Sequence, residues 1–452
     1  YSYKGRYTIN GTLRYEGSNM LGKSRQARWL PTWNVSGSWN AHEENWWAPT
    51  FGKAWTYASL KGSYSLTADR GPASNSLAVF TSFTPWRPST SANESAIILA
   101  ALENSELTYE KKNELNIGVA LGFVDNRINV EFDWYRRNNF DLIGYTQTMG
   151  VGGVTTKLAN DATMESTGCE FTISTTNIKT KDFKWTTDWI FGWAENTITK
   201  LDSRSQVYSL VNGVGRTEGR PIGALYSIPF AGLTEEGLPT FFIDAEHTQV
   251  VGPGNYAAIY FQEYENIDYL KYEGTIDPKI TGSFGNTFSW KGLKLNVFFT
   301  YSFGNVLRLD NLCPVYSSDY SDLTASMKEM KNRWMVPGDE NVTTIPSIPT
   351  VRQMREIDAL NNAYSAYNYS TERVAKGDFI RLKELSLAYD LPKKYFEGQN
   401  AVSSFGVKLS ATNLWLAYAD KKLNGRDPEY YNTGGVSSPV PRQFTLTVKL
   451  GF

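Results

Sequence analysis

The sequence predicts an all-β chain that forms the wall of a transmembrane antiparallel β-barrel, and three observations predict it. About twelve segments alternate apolar and polar residues with the period of two that a strand imposes. The connections between them alternate between long and short, the pattern of outer-membrane barrels with long loops outside and short turns in the periplasm. The longest clean apolar run, AIILAAL at 96–102, is far short of the about 20 residues a membrane helix needs. A barrel wall needs no such run, because its lipid face is dispersed over alternate positions.

The expected strands fall at about 3–15, 31–40, 55–67, 113–123, 127–137, 165–176, 183–195, 280–289, 292–303, 379–390, 404–414 and 442–452. The first opens the chain (YSYKGRYTIN), and the second is the tryptophan-rich WLPTWNVSGSW. In the fourth, Leu115, Ile117, Val119, Leu121 and Phe123 oppose Glu114, Asn116 and small residues. The fifth sets Ile128, Val130, Phe132 and Trp134 against Asn129, Glu131 and Asp133, which places those three polar residues on an inferred lumen face. Trp185, Trp189, Phe191 and Trp193 share the lipid face of the seventh. Leu293, Leu295, Val297, Phe299, Tyr301 and Phe303 share that of the ninth. The last strand, RQFTLTVKLGF, puts Phe444, Leu446, Val448, Leu450 and Phe452 on one face and ends on an aromatic, as the closing strands of outer-membrane barrels do.

The connections carry as much information as the strands. They run roughly 16–30, 41–54, 68–112, 124–126, 138–164, 177–182, 196–279, 290–291, 304–378, 391–403 and 415–441. Structureless connections as long as 196–279 and 304–378 are rare in compact soluble domains. With Phe452 ending in the periplasm, every even-numbered strand runs inward and every long connection falls outside. Lys plus Arg number 45 and Asp plus Glu 46, so no net field points to nucleic acid. Aromatics make up 14 % of residues, a load suited to interfacial girdles. Cys169 falls in a strand and Cys313 in a long connection, which argues against a disulfide.

An ordered series of segments then resembles the SusC/RagA family of TonB-dependent transporters from the Bacteroidetes outer membrane. The series begins with YSYKGRYTINGTLRYEGSNMLG (1–22) and WLPTWNVSGSW (29–39), followed by LTYEKKNELNIGVALGFVDNRINVEFDWYRRNNFDLI (107–143). ESTGCEFTIST (165–175), TKDFKWTTDWIFGWAENTITKL (180–201) and GRPIGALYSIPFAGL (219–233) come next. DPKITGSFGNTFSWKGLKLNVFFTYSFGN (277–305), FIRLKELSLAYDLP (379–392) and PRQFTLTVKLGF (441–452) complete it. Cys169, where a small or aliphatic residue is usual, and the turn at 42–54 depart from the family pattern. The resemblance implies that the chain supplies about twelve C-terminal strands of a twenty-two-stranded barrel. The plug domain and first strands would then lie outside this sequence. It implies a SusD-like surface lipoprotein as a hinged lid, the TonB–ExbB–ExbD complex acting through the plug, and lipid and lipopolysaccharide as surroundings. A dimer of transporter–lid pairs is a further expectation. The implied activity is energised import of an oligosaccharide, with an oligopeptide as the alternative cargo.

No catalytic constellation is found, and neither a cofactor nor a metal is expected. His42 and His247 lie in connections without a ligand cluster, and Asp310, Asp319 and Asp322 read as a solvated acidic loop. The candidate ligand residues are loop aromatics and charges. Tyr256, Tyr260, Tyr264, Tyr269 and Tyr272 occupy one connection; Trp334, Tyr364, Tyr367 and Tyr369 the next; and Arg426, Asp427, Tyr430 and Tyr431 the last. Aromatic faces beside polar groups suit sugars and peptides alike. The alternative use is packing of loop on loop or against a lid protein, which the apolar stretch 225–243 also suits. Rivals from other classes are a passive porin, which needs no plug or lid, and an adhesin or enzyme built on a β-scaffold.

Overall fold

The computed structural model describes all residues except 53, 74, 86–94, 152, 313–327, 393–394, 396–402 and 432–440. Its frame is one antiparallel sheet of twelve long strands preceded by the two-residue strand Ser2–Tyr3. The strands are Tyr7–Gly17, Trp29–Asn40, Trp55–Asp69, Glu110–Phe123, Ile128–Gln147, Thr156–Lys179, Phe183–Leu201, Ile280–Trp290, Leu293–Phe303, Phe379–Asp390, Ser404–Ala419 and Gln443–Gly451. Each pairs with the next in chain order, as an up-and-down wall requires. No described helix is long and apolar enough to cross a membrane, which says nothing of strands.

Register explains why alternation was so regular in the sequence. Directly opposed residues on neighbouring strands share a face. Following the pairs across the sheet gives a continuous row of Ile178, Trp185, Phe288, Leu295, Leu387, Leu409 and Leu446. A second row runs through Tyr7, Trp39, Leu60, Val119, Phe132, Phe171, Phe191, Gly282, Tyr301, Ile380 and Tyr418. A third, at the short-turn end, joins Phe183, Trp290, Leu293, Tyr389, Val407 and Val448. Yet Phe444, Leu446, Val448 and Leu450 are 69, 67, 53 and 54 % exposed. Apolar surface of this extent facing outward suits lipid and not water.

The opposite face is polar. Asp133 pairs with Gly118 and Glu170, and Glu131 with Ala120 and Thr172. Ser174 Oγ donates to Asp188 at 2.7 Å, Arg137 reaches Glu114 at 3.0 Å, and Lys408 reaches Glu384 at 3.2 Å. Gly118 leaves room for this crowding, since a Cβ there would stand 2.3 Å from the Asp133 carboxylate.

Tight turns close one end. Lys291 and Gly292 both take positive φ (45° and 91°), the two-residue turn whose twist matches the strands it joins. Val124, Asp125 and Asn126 are all left-handed in the turn before Ile128. The turn at 41–54 instead carries the short helix Trp47–Phe51. It buries Trp47, whose Nε1 donates to the Trp55 carbonyl at 2.9 Å.

At the other end several strands outrun their expected ends: Phe183–Leu201 by six residues, Ser404–Ala419 by five, and the hairpin around 147–156 by the most. The segment 138–164 is not a loose connection. Its strands run on to Gln147 and back from Thr156 as one long hairpin. At about 3.3 Å per residue the 20-residue strand Ile128–Gln147 spans about 65 Å, well beyond a hydrocarbon core of about 30 Å. Bulges between Asn139 and Ile143, with Asp141 at φ 57°, shift the alternation there, so the period of two breaks while the pairing continues.

Candidate functional site

Above the wall, the two longest connections fold together around one apolar core. Leu210, Ile228, Phe241, Tyr256 and Ile259 come from 202–279, and Leu360, Ala363, Tyr364, Ala366 and Tyr367 from 304–378. The first supplies the pair Ala224–Ser227 with Lys271–Thr275, and the three-stranded Phe230–Leu233, Pro239–Phe242 and Val250–Val251. The second supplies two helices. Val351–Glu356 is started by a capping box between Thr350 and Gln353. Leu360–Asn368 buries most of its residues in the shared core.

A cation fastens the two connections. Arg308 donates through Nη1 to Ser227 Oγ (3.1 Å) and the Ser370 carbonyl (2.9 Å), and through Nη2 to the carbonyls of Val211 (3.2 Å) and Tyr226. Burial draws its guanidinium down to about 10, against the pull of nearby Glu273. Four acceptors from both connections thus converge on one side chain, a role that its neighbours in sequence do not signal.

The sequence candidates divide by exposure. Tyr256 is fully buried with its hydroxyl donating to the Pro239 carbonyl at 2.8 Å, and Tyr364 is buried with its hydroxyl on the Ser347 carbonyl at 2.7 Å. Burial raises the Tyr256 phenol well above its usual range and pushes Tyr269 up to about 12. Tyr367 packs edge-on against Phe230. Tyr369 packs with Tyr208 and Phe261, and Tyr272 lies against Tyr226 and under Arg220. Tyr264 accepts a hydrogen bond from Gln206. Tyr260 is exposed. Trp334 is half-buried over Gly237, with Nε1 donating to Glu340 at 3.1 Å. The apolar stretch 225–243 is turned inward, with Leu225, Ile228, Leu238 and Phe241 all buried. Phe230, Leu233, Phe242 and Ile243 of the same stretch are half-buried.

The last connection is held by charges. Arg381, buried on the polar face of the wall, pairs with Asp427, and its Nε lies 3.1 Å from Glu429. Asp427 also accepts from the Glu429 N–H at 3.1 Å, starting the turn Pro428–Tyr430. Arg426 pairs with Asp310 and donates to the Tyr431 hydroxyl at 3.0 Å; burial raises the Tyr430 phenol. Arg426 and Asp427, adjacent in sequence, therefore anchor this connection to two different elements.

His42 Nδ1 sits 2.8 Å from the Ala58 carbonyl, and His247 stacks on Phe242. Among the described residues no three His, Cys, Asp or Glu side chains gather as a metal site. Asp319, Asp322 and Cys313 lie outside the described residues, and Cys169 stands between Trp134 and Trp193 in the wall.

No family model matches the chain. TonB-dependent receptor P3 of Formosa agariphila is 26 % identical over all of this chain and 44 % of its own length. TonB-dependent receptor SusC of Bacteroides thetaiotaomicron is 27 % identical over 44 % of the chain and 20 % of its own. A structure of the RagAB peptide importer in its open-open state covers the whole chain and 46 % of its own, at 23 % identity and TM-score 0.77. The chain is similar to TonB-dependent receptors, SusC among them, and shares the fold of the RagAB transporter. What it matches is the C-terminal part of their barrel, and its place is the outer membrane. The chain spans less than half the length of these curated relatives.

Proposed function

We propose that this SusC/RagA-type chain is the C-terminal wall and mouth of an energised importer that carries an oligosaccharide across the outer membrane. The observation that carries the reading is the folded mouth. Two connections commit a buried tyrosine core and a buried arginine to one fixed assembly above the wall, where a plain pore needs only loops that stay clear. Ligand contact falls to the more accessible members of the candidate set, Tyr260, Trp334, Tyr430, Tyr431 and Arg426, while Asp427 is committed to Arg381. Tyr256, Tyr264, Tyr364 and Tyr367 form the frame that holds them.

The sheet has two edges, Ser2–Tyr3 and Gln443–Gly451, which do not pair with each other. Hydrocarbon offers no partner to an open edge. In this reading, strands outside this sequence close the barrel and a plug fills it. A SusD-like lipoprotein covers the mouth, and force from TonB–ExbB–ExbD on the plug releases ligand inward. The names of the relatives, TonB-dependent receptor and SusC, support the energised mechanism. The likeness to the RagAB peptide importer supports an oligopeptide as the second candidate cargo.

Uptake of labelled oligosaccharide and labelled oligopeptide by whole cells, with and without functional TonB, tests this. The expected outcome is oligosaccharide uptake that stops without TonB. Uptake indifferent to TonB would mean a passive porin, and uptake of peptide alone would replace the cargo.

A further inference from the structure

A cavity of about 360 Å³ lies between the connection 304–378 and the start of the last connection. That volume suits one or two sugar units. Lys328, Lys331, Arg373, Lys421 and Lys422 line it, with only Glu329 and Glu372 as counter-charges. The chain as a whole is balanced, 45 cations to 46 anions, so this is a local concentration. Glu329 is already taken, since it accepts from Arg373 Nη1 at 2.6 Å. Among the described residues, no carboxylate pairs with any of the four lysines. The Lys422 ammonium reaches the Val374 carbonyl, at 3.5 Å.

Arg373 makes this more than a cluster of surface lysines. It is 4 % exposed and fixed by Glu329 and by the Asp310 carbonyl, at 2.7 Å from Nη2, yet its Nε has no hydrogen-bond partner. The Nε is itself closed off from the cavity, so what Arg373 brings to the lining is a guanidinium charge held in one place. Neutral groups, Asn332, Thr344 and Asn424, share the lining and suit hydroxyls. We propose that this cavity is a subsite for an acidic sugar, with Arg373 and the lysine ring receiving a carboxylate or sulfate of the imported oligosaccharide. The inference rests on the import reading and narrows its cargo to anionic glycans. Lysines act as mobile point charges, so the ring tolerates either anion, and Arg373 provides the fixed donor.

The test is calorimetry on the full-length transporter purified with its lid. The probes are tetrasaccharides of galacturonate, mannuronate and a sulfated galactose, each beside a neutral counterpart (the methyl ester, or the unsulfated sugar). At least one acidic probe is expected to bind tenfold or more tighter than its neutral counterpart, with affinity falling as salt rises. K421Q/K422Q and K328Q/K331Q should each remove most of that preference while leaving neutral binding and the heat-resistant gel mobility of the folded barrel unchanged. Equal binding of every acidic probe and its counterpart would overturn the proposal. So would acidic binding untouched by both double variants, or capture of an acidic tetrapeptide in place of any sugar. TonB-dependent uptake of neutral oligosaccharide without acid preference would sink this inference alone. Absence of oligosaccharide uptake would sink the import reading with it.

Discussion

Arg381 and Arg426 hold the same last connection but differ in surroundings, and their substitution should separate burial from charge. Arg381 and Asp427 have side chains 5 and 11 % exposed, whereas Arg426 and Asp310 are 37 and 50 % exposed. Removing one partner of a buried pair leaves an uncompensated charge and costs about 3–5 kcal/mol, while an exposed pair contributes up to about 1 kcal/mol. Arg381→Ala should therefore release the segment 420–431, seen as loss of amide-exchange protection there, while Arg426→Ala should barely change it. Equal effects would contradict this placement. Neither role was legible in the sequence, because Arg381 sits in a strand whose polar face has many other uses. The tyrosines teach the same lesson. Whether Tyr256 or Tyr364 faces ligand or core is decided by Pro239 and Ser347, 17 positions away in each case and with no periodic relation to them. Composition marks a tyrosine as amphipathic; only the fold says which half is used.

At the scale of the strand the sequence was most informative, because lipid on one side and water on the other leave little freedom in between. All twelve expected strands are present, and 379–390 matches to the residue. The lipid rows predict an asymmetry between neighbouring positions on Ser404–Ala419. Leu409 is 51 % exposed in the row with Leu387 and Leu446, and Ser410 faces the other way beside Ser386 and Thr445. Leu409→Arg should cost about 2–4 kcal/mol in denaturant unfolding from lipid vesicles, and Ser410→Arg much less. Similar losses at both would mean that the facing is wrong. Where the chain leaves the bilayer this constraint lapses. The hairpin beyond Asn139 is bulged and packs Ile143 and Leu158 against Leu21, Leu107 and Tyr109, so its ladder continues without the apolar alternation that revealed the rest.

For the whole molecule, the alternation of long and short connections disclosed which end carries the mouth before any contact was known. What stayed hidden is that the two longest connections are one folded body. Their shared core is assembled from residues a hundred positions apart, such as Phe230 against Tyr367, and no local pattern encodes that pairing. The same body turns Leu225, Ile228, Leu238 and Phe241 of 225–243 inward. In the proposed reading this wall belongs to a larger, lidded barrel. Native mass spectrometry of the complex released from outer membranes tests it most directly. The expected result is a polypeptide of about twice 50.9 kDa carrying a lipoprotein partner, with bound oligosaccharide where cargo is retained. A 50.9 kDa chain alone, closed as a twelve-stranded channel, would contradict it and remove the import mechanism.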